Sequence, residues 1–130
     1  LFTGAICTNH CKDCPFSDSP AWVTRRGLDE LIQAATHARN ASYGRILLAG
    51  GEPTARPDFP DLMRAIQGLN FREVVLETDG SWIDSRHRAE QLRDWGVTRI
   101  LFKIQGDTAG SHDDVVGRGG GFRQIRTAAA

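Results

Sequence analysis

Cysteine is scarce in this sequence, with three in 130 residues, and all of them fall between Cys7 and Cys14. An odd number confined to one short stretch excludes the spread, even-numbered framework of a disulfide-stapled domain. It points instead to metal or cluster binding in a compartment that keeps thiolates reduced. Net charge is missing too, because sixteen Lys and Arg offset sixteen Asp and Glu. No overall field draws the chain to nucleic acid or to an anionic bilayer. No apolar run approaches the length that crosses a membrane, and no charged-then-apolar leader precedes the first strand-like segment, so a cytoplasmic protein is expected. An initiating methionine is also lacking. The chain opens at Leu1 and stops at Ala130, where a last helix is expected to be starting, and so reads as an excerpt of a longer protein. With 40% apolar and 25% charged residues the composition is that of a globular domain, and 130 residues have room for one.

What is present is an alternation of short apolar runs with helical patterns. Residues 1–6 read as a buried strand that runs into the cysteine loop, followed by a loop with Pro15 and Pro20. Leu28, Leu31, Ile32 and Ala35 recur at helical spacing and predict a helix over 28–40. The RILLA run at 45–49 predicts a second strand, stopped by Gly50 and Gly51. Phe59, Leu62, Met63, Ile66 and Leu69 mark a second helix, with Asp58 or Pro60 as its start. The pattern continues with a strand at 73–78, a helix at 85–95, a strand at 99–104 and a last helix from near Phe122. Trp22, Trp82 and Trp95 are expected to fill core. The fold class is α/β: about four βα units, the last truncated, around a parallel sheet with right-handed crossovers. Four strands do not close a barrel, so an exposed edge is expected at the fourth.

In such a sheet ligands gather at the carboxyl ends of the strands. The polar and glycine-rich segments fall there: residues 7–14, Gly50-Gly51-Glu52-Pro53, Thr78-Asp79-Gly80 and Gln105-Gly106-Asp107. Cys7, Cys11 and Cys14 have C-x3-C-x2-C spacing, which lets one loop aim three sulfurs together. Three thiolates leave one metal position without a protein ligand, and on a four-iron cluster the free iron can bind a small molecule. The alternative is a structural zinc with His10 as fourth ligand; His10 and Cys11 are adjacent, which makes it hard for both to reach one tetrahedral ion. On its own, the GGEP segment is a strand-terminating turn.

Strand alternation puts Val75, Glu77 and Asp79 on one face and Leu101, Lys103 and Gln105 on the matching face of the next strand. Glu77 and Lys103 are expected to pair there, the alternative being that one of them reaches solvent. Ile100, Phe102 and Ile104 should meet the helices. His112 and Asp113 offer acid/base groups, yet within an Asp/Gly-rich loop a turn or capping role is favoured. His37 and His87 belong on helix surfaces. The Gly119 to Gly121 run lacks the Lys and Ser/Thr of a phosphate loop.

The C-x3-C-x2-C loop after a first strand, followed by Gly50-Gly51-Glu52-Pro53-Thr54 after the second, resembles the radical S-adenosylmethionine (radical SAM) superfamily. Arg56-Pro57-Asp58, Thr78-Asp79-Gly80, Gly106, His112-Asp113 and the segment from Gly117 to Phe122 extend the resemblance along the chain. The resemblance implies that residues 1–130 are the incomplete core domain, part of a TIM-type partial barrel. It also implies a 4Fe-4S cluster held by Cys7, Cys11 and Cys14, and S-adenosylmethionine bound through the open iron. Reductive cleavage would then give a 5′-deoxyadenosyl radical that abstracts a substrate hydrogen. Gly50, Gly51, Glu52 and Pro53 would line the methionine end of S-adenosylmethionine, with Asp79 and Lys103 as further contacts; no catalytic residue is assigned. The implied partners are a peptide or small-molecule substrate, as in peptide and cofactor maturation, and an electron donor such as a flavodoxin or ferredoxin. The competing expectation is a zinc-binding or degenerate module without catalysis. The sequence departs from the family pattern at Asp13, where an aromatic residue near the adenine is common, at Asp79, where an amide is common, and at Lys103, where a serine is common.

Overall fold

Three of the predicted apolar runs form one parallel sheet, in the order in which they occur along the chain. The computed structural model describes residues 1–17 and 26–130, so Pro20 and Trp22 lie outside the described residues. The sheet contains β1 (Arg45–Leu48), β2 (Glu73–Thr78) and β3 (Arg99–Phe102). The helices are α1 (Leu28–Asn40), α2 (Phe59–Gly68), α3 (Arg86–Asp94), α4 (Ala109–Val116) and α5 (Gly121–Ala129). The register pairs Leu47 with Val75 and Glu77 with Leu101. Among the described residues no helix is long and apolar enough to cross a membrane.

The core lies on one face of this sheet. Ile46, Leu48, Val74 and Leu76 point there and pack against Leu31 and Ala35 of α1, Phe59, Leu62, Met63 and Ile66 of α2, and Leu92 of α3. Full burial of such side chains contributes about 1.5–3 kcal/mol each, and Pro60 in the first turn of α2 costs no helical hydrogen bond and starts the helix as expected. Ile100 and Phe102 join the core edge as expected, and Trp82 and Trp95 pack against it and each other with centroids 5.6 Å apart. Ile104 does not: the strand ends at Phe102, the alternation is lost, and Ile104 is 56% exposed. Leu101 is also exposed, so the expected open edge is present.

Two expectations need correction. Residues 1–6 are not a regular strand; they pair with the end of β1 through a single bridge, Phe2 to Ala49. Ala49 donates to the Leu1 carbonyl and Thr3 to the Ala49 carbonyl, but the next bond runs from Gly51 N–H to Gly4 O, skipping the Thr3 oxygen. That oxygen is taken by the buried Arg56 guanidinium at 2.7 Å, while Asp58 grips the same guanidinium with both oxygens at 2.9 and 2.8 Å. The ladder slips by one residue at Gly4, whose φ is 102°.

The second correction concerns the segment after β3, read from sequence as an Asp/Gly-rich loop. Ala109–Val116 is a helix, started by a capping box in which Thr108 and Ser111 satisfy each other's backbone amides. The final helix begins at Gly121, near the expected Phe122, and runs to Ala129.

Candidate functional site

The carboxyl ends of all three strands and the N-terminal segment open on one cavity of about 250 Å³. Cys7, Cys11 and Cys14 line it from the cysteine loop, Gly50 and Gly51 from the turn after β1, Glu77 and Asp79 from β2 and its end, and Lys103 and Gln105 from the segment after β3. The strand alternation argument therefore places Glu77 and Lys103 correctly, on one side of the sheet. Glu52 and Pro53 are buried behind the cavity and do not line it.

The diglycine turn holds the stem of the cysteine loop at the closest backbone distance. A Cβ on Gly51 would lie 2.3 Å from the Ile6 oxygen, and one on Gly50 2.4 Å from the Gly4 oxygen. Only glycine fits at both positions. Gly51 N–H donates to Gly4 O at 2.9 Å and Glu52 N–H to Ile6 O at 2.7 Å, which carries the chain directly to Cys7.

Glu52 ties this turn to the end of β2. One carboxylate oxygen accepts from Thr54 N–H (3.1 Å), the Thr54 hydroxyl (2.6 Å) and the Thr78 hydroxyl (2.8 Å). The other accepts from Asp79 N–H at 2.7 Å. Burial, and then the nearby Asp79 carboxylate, push the Glu52 carboxyl above the ordinary range in spite of these donors. Through these four bonds Glu52 fixes the turn after β1 against the end of β2.

Lys103 donates to Gly51 O at 2.6 Å and lies 3.5 Å from Gly50 O, while its distance to the Glu77 carboxylate is 3.9 Å. The expected pair exists, but the turn carbonyl is the nearer partner. Asp79 accepts from the Asn9 side-chain amide at 2.9 Å and from Ser81 N–H at 2.8 Å. A carboxylate at this position thereby links the cysteine loop to β2.

The loop itself turns tightly, with Cys14 N–H donating to Cys11 O at 3.2 Å. Burial pushes the Cys7 thiol up, opposed by the Asn9 N–H that donates to its sulfur at 3.4 Å. Burial, and then neighbouring Cys14, push the Cys11 thiol up. Among the described residues, no three His, Cys, Asp or Glu side chains stand together as one ion requires. His10 is exposed and does not line the cavity. A four-iron cluster asks for something different, since each thiolate meets a different iron, and three thiols around one cavity wall suit that donor set.

Several residues the motifs did not single out also line the cavity: Asn9, Pro15, Phe16 and Val116. Phe16 packs on Phe2 with centroids 5.1 Å apart. It supplies an aromatic wall, while Asp13, at the position where the family commonly has an aromatic residue, lines the cavity as an exposed carboxylate. Its place two residues after Cys14 was the available clue. His112 and Asp113 stay outside the cavity. The buried His112 accepts from Gln105 N–H at 3.0 Å through Nδ1, and Asp113 accepts from Gly120 N–H at 2.6 Å and Phe122 N–H at 2.9 Å. The favoured turn and capping role is what both perform, and the Gly120 amide is thereby engaged within the protein.

Comparison with known proteins points to one family. The family model described as the radical SAM superfamily matches residues 1–130. The chain is 28% identical over 125 residues to the GTP 3′,8-cyclase of Cronobacter sakazakii, covering 92% of this chain and 37% of that protein. It is 32% identical over 115 residues to the AdoMet-dependent heme synthase of Methanosarcina barkeri, covering 88% and 32%. It is 30% identical over 122 residues to the PqqA peptide cyclase of Rhodopseudomonas palustris, covering 88% and 31%. The chain thus spans about a third of the length of these curated relatives. The superfamily's members are enzymes, and the family in general uses a 4Fe-4S cluster and S-adenosylmethionine. With its full length matched, and with the three cysteines and the diglycine turn on one cavity, the chain belongs to the radical SAM superfamily.

Proposed function

We propose that residues 1–130 are the cluster- and cofactor-binding part of a radical SAM enzyme core, with Cys7, Cys11 and Cys14 as the ligands of a 4Fe-4S cluster. The observation that carries this reading is the meeting of three thiols and the Gly50-Gly51 turn around one cavity. When bound, the cluster and S-adenosylmethionine supply reductive cleavage of the cofactor and a 5′-deoxyadenosyl radical that takes a hydrogen from substrate.

The chain's own residues bind and orient. Gly50 and Gly51 present carbonyls to the cavity, one of them held by Lys103. Asp79 and Glu77 offer carboxylates to an ammonium or hydroxyl donor, and Lys103 offers a cation to a carboxylate. Phe16 gives the apolar surface against which a base can pack. Glu52 and Pro53 act behind this surface, setting the turn. The substrate is a peptide or a small molecule. The electron donor is a flavodoxin or ferredoxin in a reducing, cytoplasmic compartment where thiolates persist.

The test is anaerobic reconstitution of the full-length protein with iron and sulfide, followed by visible absorption and an assay for S-adenosylmethionine cleavage under reduction. A brown protein that releases 5′-deoxyadenosine is expected. A colourless protein that retains one zinc and is inert toward S-adenosylmethionine would overturn the reading in favour of a non-catalytic module.

A further inference from the structure

We propose that Gly117, just past the C-terminal end of α4, is a positioning residue for the cysteine loop, and that α4 sets where the three thiols stand. The inference rests on the cluster reading above. The last carbonyls of a helix have no partner inside it. In α4 two of them are taken by the cysteine loop: His10 N–H donates to Val116 O at 3.0 Å, and Lys12 N–H donates to Val115 O at 2.9 Å. These two donors flank Cys11. An exposed ion pair between Lys12 and Asp114 at 2.6 Å joins the same surfaces.

Gly117 then turns the chain with φ 66°, a left-handed conformation that favours glycine. A Cβ at this position would lie 2.5 Å from the His10 carbonyl oxygen and 3.1 Å from its carbon. What it meets is loop backbone, which cannot rotate away as a flexible side-chain tip can. A side chain at 117 therefore forces the end of α4 and the segment between Cys7 and Cys11 apart. Val116, the residue before it, is itself buried in the cavity wall. The thiols are thus held from two sides, by the diglycine turn after β1 and by the end of α4.

The deciding comparison is Gly117→Ala against Gly120→Ala in the full-length protein. Both glycines have positive φ, 66° and 83°, so both substitutions carry the same kind of backbone strain. A Cβ at Gly120 meets only the tip of Arg123, at 4.0 Å. Two readouts follow each variant: iron content and electron paramagnetic resonance spectrum after anaerobic reconstitution, and residue-resolved alkylation rates of the thiols in metal-free protein. Both should lower the thermal midpoint through backbone strain, Gly117→Ala by more because of its added contact with the His10 carbonyl. Only Gly117→Ala should lose iron, shift the spectrum and change the Cys11 alkylation rate. Equal spectra and equal rates overturn the proposal. If wild type takes up no cluster, the cluster reading fails, while alkylation still decides whether Gly117 places the loop. Should Gly117→Ala not fold, Gly117→Asn brings the same Cβ against His10 from a residue that tolerates φ 66° better; an unchanged Cys11 alkylation rate there also overturns the proposal.

Discussion

At the residue scale, distance decides between two partners for Lys103. Its bond to Gly51 O is 2.6 Å, and its approach to Glu77 is 3.9 Å across a partly exposed site. A charged donor on a carbonyl contributes about 1.5–3 kcal/mol, a screened ion pair under about 1 kcal/mol. Lys103→Met is therefore expected to lower stability by about 1.5 kcal/mol and Glu77→Gln by less than about 1 kcal/mol, measured by urea unfolding. The opposite order would make Glu77 the main partner. Glu52 is the more critical carboxylate. Glu52→Ala strands the amides of Thr54 and Asp79 and the Thr78 hydroxyl, with a cost on the order of 1–3 kcal/mol for each buried donor left unpaired. Thermal melts of this variant should show one of the largest losses for any substitution near the site. Sequence alternation was enough to put Glu77 and Lys103 on one face. It could not rank the Gly51 carbonyl above Glu77, because that choice depends on a backbone group over fifty positions away.

At the element scale, α4 is the part of the fold that periodicity concealed. Its eight residues bury only His112 and Val116, too few for an apolar stripe, so the evidence for it lay in its ends. Thr108 and Ser111 at the start and Gly117 at the stop were legible as capping residues. Thr108→Ala should cost about 1 kcal/mol by urea titration, the usual contribution of an N-cap. Asp113 fastens α4 to α5: the Phe122 and Gly120 amides donate to it and hold its carboxyl below the ordinary aspartate range. A folded-state value below the unfolded one means that this stabilisation is complete at neutral pH. It remains complete down to the ordinary aspartate range and is lost as pH falls through the lowered value. The stability gap between wild type and Asp113→Asn should thus be constant near neutrality and close in acid, as seen by chemical denaturation across pH. A gap that widened in acid would refute the assignment.

Across the whole molecule, folding and chemistry lie apart: the apolar core sits on the helix side of the sheet, and the thiols sit on the rim beyond its carboxyl ends. Leu62→Ala, which empties a fully buried site in α2, should cost about 2–5 kcal/mol. Cys7→Ser, Cys11→Ser and Cys14→Ser should each change the thermal stability of metal-free protein by no more than about 0.5 kcal/mol, yet each should abolish iron retention on reconstitution. Sequence alone determined the βα order, the parallel sheet, the apolar faces of α1 and α2 and the grouping of the motifs at one rim, because these follow from local periodicity and from chain connectivity. Only the tertiary structure decided that residues 1–6 form a slipped bridge, that Glu52 is enclosed by protein donors, and that α4 grips the cysteine loop. Each of these depends on which distant backbone group takes a free donor or acceptor, and no local pattern in a chain encodes that.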